Sequence, residues 1–209
     1  SVKLRLQREK MPLLILRLVA FADLDSEKNS VSSEQDSRLF AFSVSSTRIT
    51  SHGLERVATL QQLRKLGIEN TRIDDSGVEH LSSLSKLEFL NLRNTRVTDA
   101  SMHVLGDKNG LRWLDLGATK LTNEGLVELG RLKQLKTLYL AGTNISDIGL
   151  THLNGLTDLN DLDLSDTQIT DDGLEHIKGL TDLKTLDLDS TQVTEAGIAE
   201  LKKSLPGCK

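Results

Sequence analysis

From Leu39 onward the chain repeats itself every 24 residues, seven times, without a gap. The registers start at Leu39, Leu63, Leu87, Leu111, Leu135, Leu159 and Leu183. Two neighbours read LKTLYLAGTNISDIGLTHLNGLTD and LNDLDLSDTQITDDGLEHIKGLTD. Position 9 is threonine in every copy: Thr47, Thr71, Thr95, Thr119, Thr143, Thr167 and Thr191. Position 15 is glycine in six of them, with Ser101 the departure. A unit this short cannot bury its own apolar face, so the copies must stack and share a core. That requirement excludes a fold built around one central core and predicts an elongated array.

Within each unit the periodicity switches once. Positions 4 and 6 are apolar around a polar residue, as in Leu162-Asp163-Leu164, the period of a short strand. Positions 16, 19 and 22 are then mostly apolar, as in Leu150, Leu153 and Leu156, which is one face of a short helix. A Thr-Asp pair such as Thr170-Asp171 between them supplies a side-chain oxygen for a free helix amide. The glycine after it predicts a close approach of the first helical turn to the neighbouring repeat. Adjacent strands then pair in parallel at about 4.8 Å, and the bulkier helices spread on the other side. The composition follows the same logic, with 41 leucines against six aromatic residues in 209.

The pattern LxxLxLxxTxITDxGLxxLxxL over residues 39–205 resembles the leucine-rich repeat family, and within it the bacterial and cysteine-containing forms. The chain differs from them at position 9, where threonine replaces the usual asparagine or cysteine. The resemblance implies an α/β fold, a right-handed curved solenoid with parallel strands on the concave face and short helices on the convex face. It also implies a non-enzymatic module that binds a protein or peptide through the concave face. A second likeness, of the ITDxGL repeats to F-box-linked proteins, implies a substrate-recognition role in a ubiquitin-ligase or effector assembly. Residues 1–38 hold no F-box-like helical segment, however. A purely structural scaffold is the remaining alternative. The threonine column is expected to act as a ladder, each hydroxyl bonding the backbone of the next repeat.

The ends depart from the repeat. Residues 1–38 are read either as an N-terminal cap with a polar linker or as a leader remnant. Met11 to Ala22 is their most apolar run, and Ala20-Phe21-Ala22 looks like a cleavage site, although Arg17 interrupts the stretch. Lys202-Lys203 followed by Pro206-Gly207 reads as a helix stop, so the last repeat is expected to form the C-terminal cap with residues 206–209 as a tail. One cysteine, Cys208, excludes an internal disulfide framework and leaves the compartment, cytoplasmic or secreted, open. It is expected to be exposed. A formal net charge of −4 offers no global attraction for nucleic acid, and no apolar run reaches the roughly 20 residues that span a bilayer.

No phosphate-cradling glycine loop, HExxH or GxSxG occurs. His52, His80, His103, His152 and His176 all fall on the helical side of the unit, so neither a catalytic site nor a bound metal or cofactor is expected. The informative surface is the concave one, where positions 3, 5 and 7 point away from the core leucines. Phe89 and Trp113 at position 3 and Tyr139 at position 5 of the next repeat form one expected patch. Exposed clustered aromatics favour a binding hot spot. Beside them lie Asp115, Asp161, Asp163, Asp187 and Asp189, with Asp166 at the turn and Arg93 on the opposite flank. Stacked carboxylates fit either a simply solvated acidic face or a basic partner. Calcium fits less well, because a flat sheet supplies too few oxygen ligands. Column 10 carries Arg48, Arg72, Arg96 and Lys120, then changes to Asn144, Gln168 and Gln192.

Overall fold

The computed structural model describes residues 40–209; the segment read as a cap or leader lies outside them. Each repeat contributes one three-residue strand and one helical stretch. The strands are β1 (Ala41–Ser43), β2 (Lys65–Gly67), β3 (Phe89–Asn91), β4 (Trp113–Asp115), β5 (Thr137–Tyr139), β6 (Asp161–Asp163) and β7 (Thr185–Asp187). The helices are α1 (Ser51–Val57), α2 (Asp75–His80), α3 (Met102–Gly106), α4 (Asn123–Leu129), α5 (Asp147–Leu150), α6 (Asp171–Leu174) and α7 (Glu195–Ser204). All seven strands form one parallel sheet in chain order, and every pairing is shifted by one repeat, as in Leu90↔Leu114 and Leu114↔Leu138. The α/β solenoid expected from the periodicity is therefore the fold observed.

The core is a set of leucine columns. Positions 4, 6, 11, 16 and 19 are buried in one repeat after another, as with Leu138, Leu140, Ile145, Leu150 and Leu153. Each fully buried leucine contributes roughly 1.5–3 kcal/mol relative to an exposed one. Position 22 is Ser204 in the last repeat and otherwise breaks once, at Lys108, which occupies a leucine slot and is only 5% exposed. Its stem fills the slot while Nζ donates to the Ser82 carbonyl at 2.7 Å. Burial holds the ammonium below the ordinary lysine pKa range.

Each strand leaves the sheet through the same turn. Position 8 has a positive φ in all seven repeats, between 52° and 66°, at Ser46, Asn70, Asn94, Ala118, Gly142, Asp166 and Ser190. Asn, Asp and Gly tolerate this left-handed conformation best. The turn would strand the position 6 carbonyl inside the molecule. The threonine at position 9 prevents that: Thr143 Oγ1 donates to the Leu140 carbonyl at 2.6 Å, and the other six do the same from Thr47 to Thr191. This corrects the expected ladder. The hydroxyl bonds three residues back within its own repeat, because a side chain as short as threonine reaches the turn it closes more readily than the next layer.

The link between repeats sits instead at the strand-to-helix corner. The carboxylate at position 13 accepts two bonds from position 12 of the next repeat. Asp147 Oδ1 takes the Thr170 N–H at 2.9 Å and Oδ2 takes the Thr170 hydroxyl at 2.7 Å. Asp75 with Thr98, Asp99 with Thr122 and Asp171 with Thr194 repeat the geometry. Where the residue types change, the bonds change together. Asn123 accepts the Ser146 N–H and donates to its hydroxyl, and Ser51 donates to Asp74. Several of the threonines also accept from their own helix, as Thr170 does from the Asp172 N–H, which is the capping role expected of them. Hydroxyl and amide donors from Thr194 hold the Asp171 carboxyl below its usual range, and hydroxyls from Ser51 and Ser76 do the same for Asp74. Both lowered groups support the fold above the ordinary carboxylate pKa. That support is lost as pH falls through their depressed values.

This clamp explains the glycine at position 15. A Cβ on Gly173 would lie 2.3 Å from Asp147 Oδ1, and one on Gly197 would lie 2.1 Å from Asp171 Oδ1. Ser101, the exception, turns the proximity into a bond, its hydroxyl donating to Asp75 Oδ1 at 2.7 Å. The helix stop is observed as well: α7 ends at Ser204, and the Lys209 N–H donates to the Lys184 carbonyl beside β7. Cys208 is half-buried against the core, contrary to the exposed thiol expected, because the tail folds back along β7.

Two substitutions test this account. Gly173→Ala should lower stability by about 1–3 kcal/mol, since a well-packed site must shift to admit the methyl group. Gly179→Ala, where a Cβ meets nothing within 4 Å, should be neutral or stabilising by up to about 1 kcal/mol. Urea unfolding of both variants checks the contrast. Thr143→Val keeps the shape and removes the donor, so it should cost about 1–3 kcal/mol in the same measurement, with Thr143→Ser closer to wild type.

Candidate functional site

Positions 3, 5 and 7 of each repeat face the concave side, because the leucines at 4 and 6 face the core and a strand alternates. The parallel register puts Phe89 beside Trp113 and Trp113 beside Thr137, with Tyr139 between Asp115 and Asp163. Phe89 and Trp113 stack with ring centroids 3.9 Å apart and planes 9° apart. Tyr139 meets Trp113 edge-on at 5.5 Å and 80°. All three rings are half-buried. They cover one another in part and leave the rest of their surface open on the concave side, so the expected patch exists as one unit.

Tyr139 is fixed at its far end. Its hydroxyl donates to Asp161 Oδ2 at 2.7 Å, which also ties repeat 5 to repeat 6. Burial, and after it the bond to Asp161, pushes the phenol up to about 12.

The acidic residues divide by what the fold asks of them. Asp163 Oδ1 accepts the N–H and the hydroxyl of Ser165, and Asp187 Oδ1 accepts the N–H of Asp189. Asn91 does the same for Arg93. Position 5 is thus a column of side chains that close the strand end onto the amide two residues on. The periodicity alone did not reveal this duty; the recurrence of Asn or Asp two residues before the turn is the signal that could have. Asp115 belongs to the same column and bonds the Gly117 N–H at 2.8 Å, yet it is only 5% exposed. It is corrected from a partner-contacting residue to part of the floor, because it is turned in to bond the Gly117 amide and lies buried. Burial raises its pKa despite the Gly117 amide and the nearby Arg93 guanidinium. Asp161 and Asp163 are half-buried, and Asp187, Asp189 and Arg93 are exposed.

Among the described residues, no group of three or more His, Cys, Asp and Glu side chains is arranged to hold a metal ion. No helix among them is long and apolar enough to cross a membrane.

Tyr139 is the chain's one tyrosine, so its titration is directly readable. Tyrosinate absorbance should rise near pH 12, and Asp161→Asn should move the transition down while leaving it above 10, because burial remains. A raised phenol supports the fold below its ordinary pKa near 10. Stability should therefore fall as pH climbs from about 10 through 12.

Comparison with known proteins places this geometry. A sequence profile described as leucine rich repeat matches residues 61–121 and 133–193, more than half of the chain. Among solved structures, internalin C2 of Listeria monocytogenes superimposes with a TM-score of 0.75 at 24% identity, over 93% of this chain and 80% of that one. A second internalin of the same organism, inlF, gives 0.63 at 26% identity, over 82% of this chain and 53% of that one. The chain thus spans about half the length of the second structure. No curated protein sequence matches it.

Proposed function

The chain belongs to the leucine-rich repeat family, and from that premise we propose that it binds a protein or peptide partner through the concave face, with no catalytic step. Family membership supports a protein-interaction repeat module. The aromatic cluster of Phe89, Trp113 and Tyr139 carries the assignment to this face. The core is filled mainly by leucines, isoleucines and valines, and the strands pair through their backbones, so the core does not need the rings of the one tryptophan and the one tyrosine here. Rigid aromatics presented together supply large contact area at small entropic cost, which is the composition of a binding centre. Thr137 and Ala141 beside them are small and keep the rings reachable. The half-buried and exposed carboxylates at Asp161, Asp163, Asp187 and Asp189 favour cationic side chains on the partner.

The direct test is affinity capture from the source organism with wild-type and Trp113→Ala baits. Trp113→Ala should weaken the captured partner's affinity by at least about thirtyfold, the equivalent of roughly 2 kcal/mol for a hot-spot residue. Its thermal midpoint should fall little, because the ring is half-buried. Unchanged affinity for Trp113→Ala and Tyr139→Ala would sink this site.

A further inference from the structure

The concave side and the strand-exit column next to it carry opposite charges at their two ends. Toward the N-terminal repeats, Arg48, Arg72, Arg96 and Lys120 stand one per repeat at position 10, and Lys65 and Arg93 lie on the sheet; all six are exposed. Toward the C-terminal repeats, column 10 turns neutral, and Asp161, Asp163, Asp166, Asp187 and Asp189 occupy the face and its turn. Among the described residues, none of these cations has a carboxylate within 4 Å and none of these carboxylates has a cation within 4 Å. Two acids sit in the basic half, but Asp115 is buried and Glu69 has Oε2 turned inside, so little of their charge faces a partner.

The fold does not ask for the basic half of this arrangement, whereas in the acidic half Asp163 and Asp187 also close their strand ends and Asp161 also holds Tyr139. At position 10 the backbone N–H donates to the position 11 carbonyl of the repeat before, whatever the side chain. Arg96 and Lys120 do so to Ile73 and Val97, and Asn144, Gln168 and Gln192 do so to Leu121, Ile145 and Ile169. A neutral side chain therefore serves the stack equally well. Like charges in register at about 4.8 Å repel one another. Two such runs of opposite sign, with no ion pair within 4 Å, the cations reaching from the first repeats alongside Phe89 and Trp113 and the carboxylates lying beyond Tyr139, are a cost that complementarity to a partner offsets.

Resting on the concave-face reading above, we infer that this surface takes a charge-segregated segment of a partner protein. The segment is acidic at one end, apolar in the middle and basic at the other. Its acidic end lies over Lys65 and Arg72 and runs along Arg96 and Lys120 at the edge of the face, its apolar middle lies on Phe89, Trp113 and Tyr139, and its basic end over Asp161, Asp163 and Asp187. The distance from β2 to β7 is five strand spacings, about 24 Å, which about seven extended residues span. A uniformly basic segment meets like charge at one end and is rejected there, as a uniformly acidic one is at the other.

A random-peptide library selected on the full 209-residue chain tests this. Peptides with acidic and basic residues at opposite ends of an apolar stretch should be enriched at least about tenfold over interleaved sequences of the same composition. Selection on an Arg72→Glu, Arg96→Glu, Lys120→Glu chain, its fold checked by circular dichroism, should shift enrichment to uniformly basic peptides. The single Lys120→Glu chain should shift it partway. Uniformly basic or charge-unordered peptides from the wild-type chain, or no enriched class, would overturn the inference. Selection on Trp113→Ala separates the two levels. An unchanged peptide set there removes the concave aromatic site itself. Peptides that require Trp113 but lack charge order leave that site in place and remove only the segregation.

Discussion

Each repeat completes the hydrogen bonding of its neighbour, and the rest of the molecule depends on that dependence. A three-residue strand and one or two helical turns leave an apolar face uncovered and a row of backbone groups unpaired, so no unit stands alone. The leucine columns supply the attraction, but hydrophobic burial is non-directional and would tolerate slippage between layers. The clamp from position 13 to position 12 gives direction. Asp147 can accept both the N–H and the hydroxyl of Thr170 only if the two corners are in register. Ser51 with Asp74 and Asn123 with Ser146 exchange donor and acceptor types in step, which shows that the pair, more than either residue, is what the junction requires.

The turn that ends each strand works within its own layer. A left-handed residue at position 8 bends the chain out of the sheet, and the threonine hydroxyl behind it satisfies the carbonyl the bend leaves inside. Position 5 caps the strand from the concave side in five repeats, through Ser43, Asn91, Asp115, Asp163 and Asp187. With corners, turns and strand ends all held by short polar side chains, the other concave positions are released from structural duty. Those released positions hold Phe89 and Trp113 at position 3 and the exposed side chains of column 10. Tyr139 has an intermediate status, since its ring is presented to the partner side while its hydroxyl is bound to Asp161.

Much of this was readable from the repeat alone. A fixed period of 24 residues with one switch from alternation to helical spacing required parallel strands one repeat out of register, and the structure has them. The threonine column was legible as polar and internal, but its partner was not. A sequence shows that a hydroxyl recurs, while the carbonyl it reaches depends on where a left-handed turn puts that carbonyl. Glycine at position 15 announced a close approach, yet the approaching atom, a carboxylate oxygen 26 residues upstream as in Gly173 and Asp147, is visible only in three dimensions. Asp115 shows the same limit at the site. Its column number placed it on the concave face, and only the stacked structure shows that it is buried there.

The sequence by itself determined the architecture, because a periodic chain has one way to cover every copy of the same apolar stripe. It also determined which side chains share the concave face, since alternation along a strand is a local property. The tertiary structure decided which of those side chains are available. Availability depends on ring orientation, on bonds such as Tyr139 to Asp161 and on which cations and carboxylates of the face are left without an ion-pair partner. These are distances between residues at least 22 positions apart, and they exist only once the repeats are stacked.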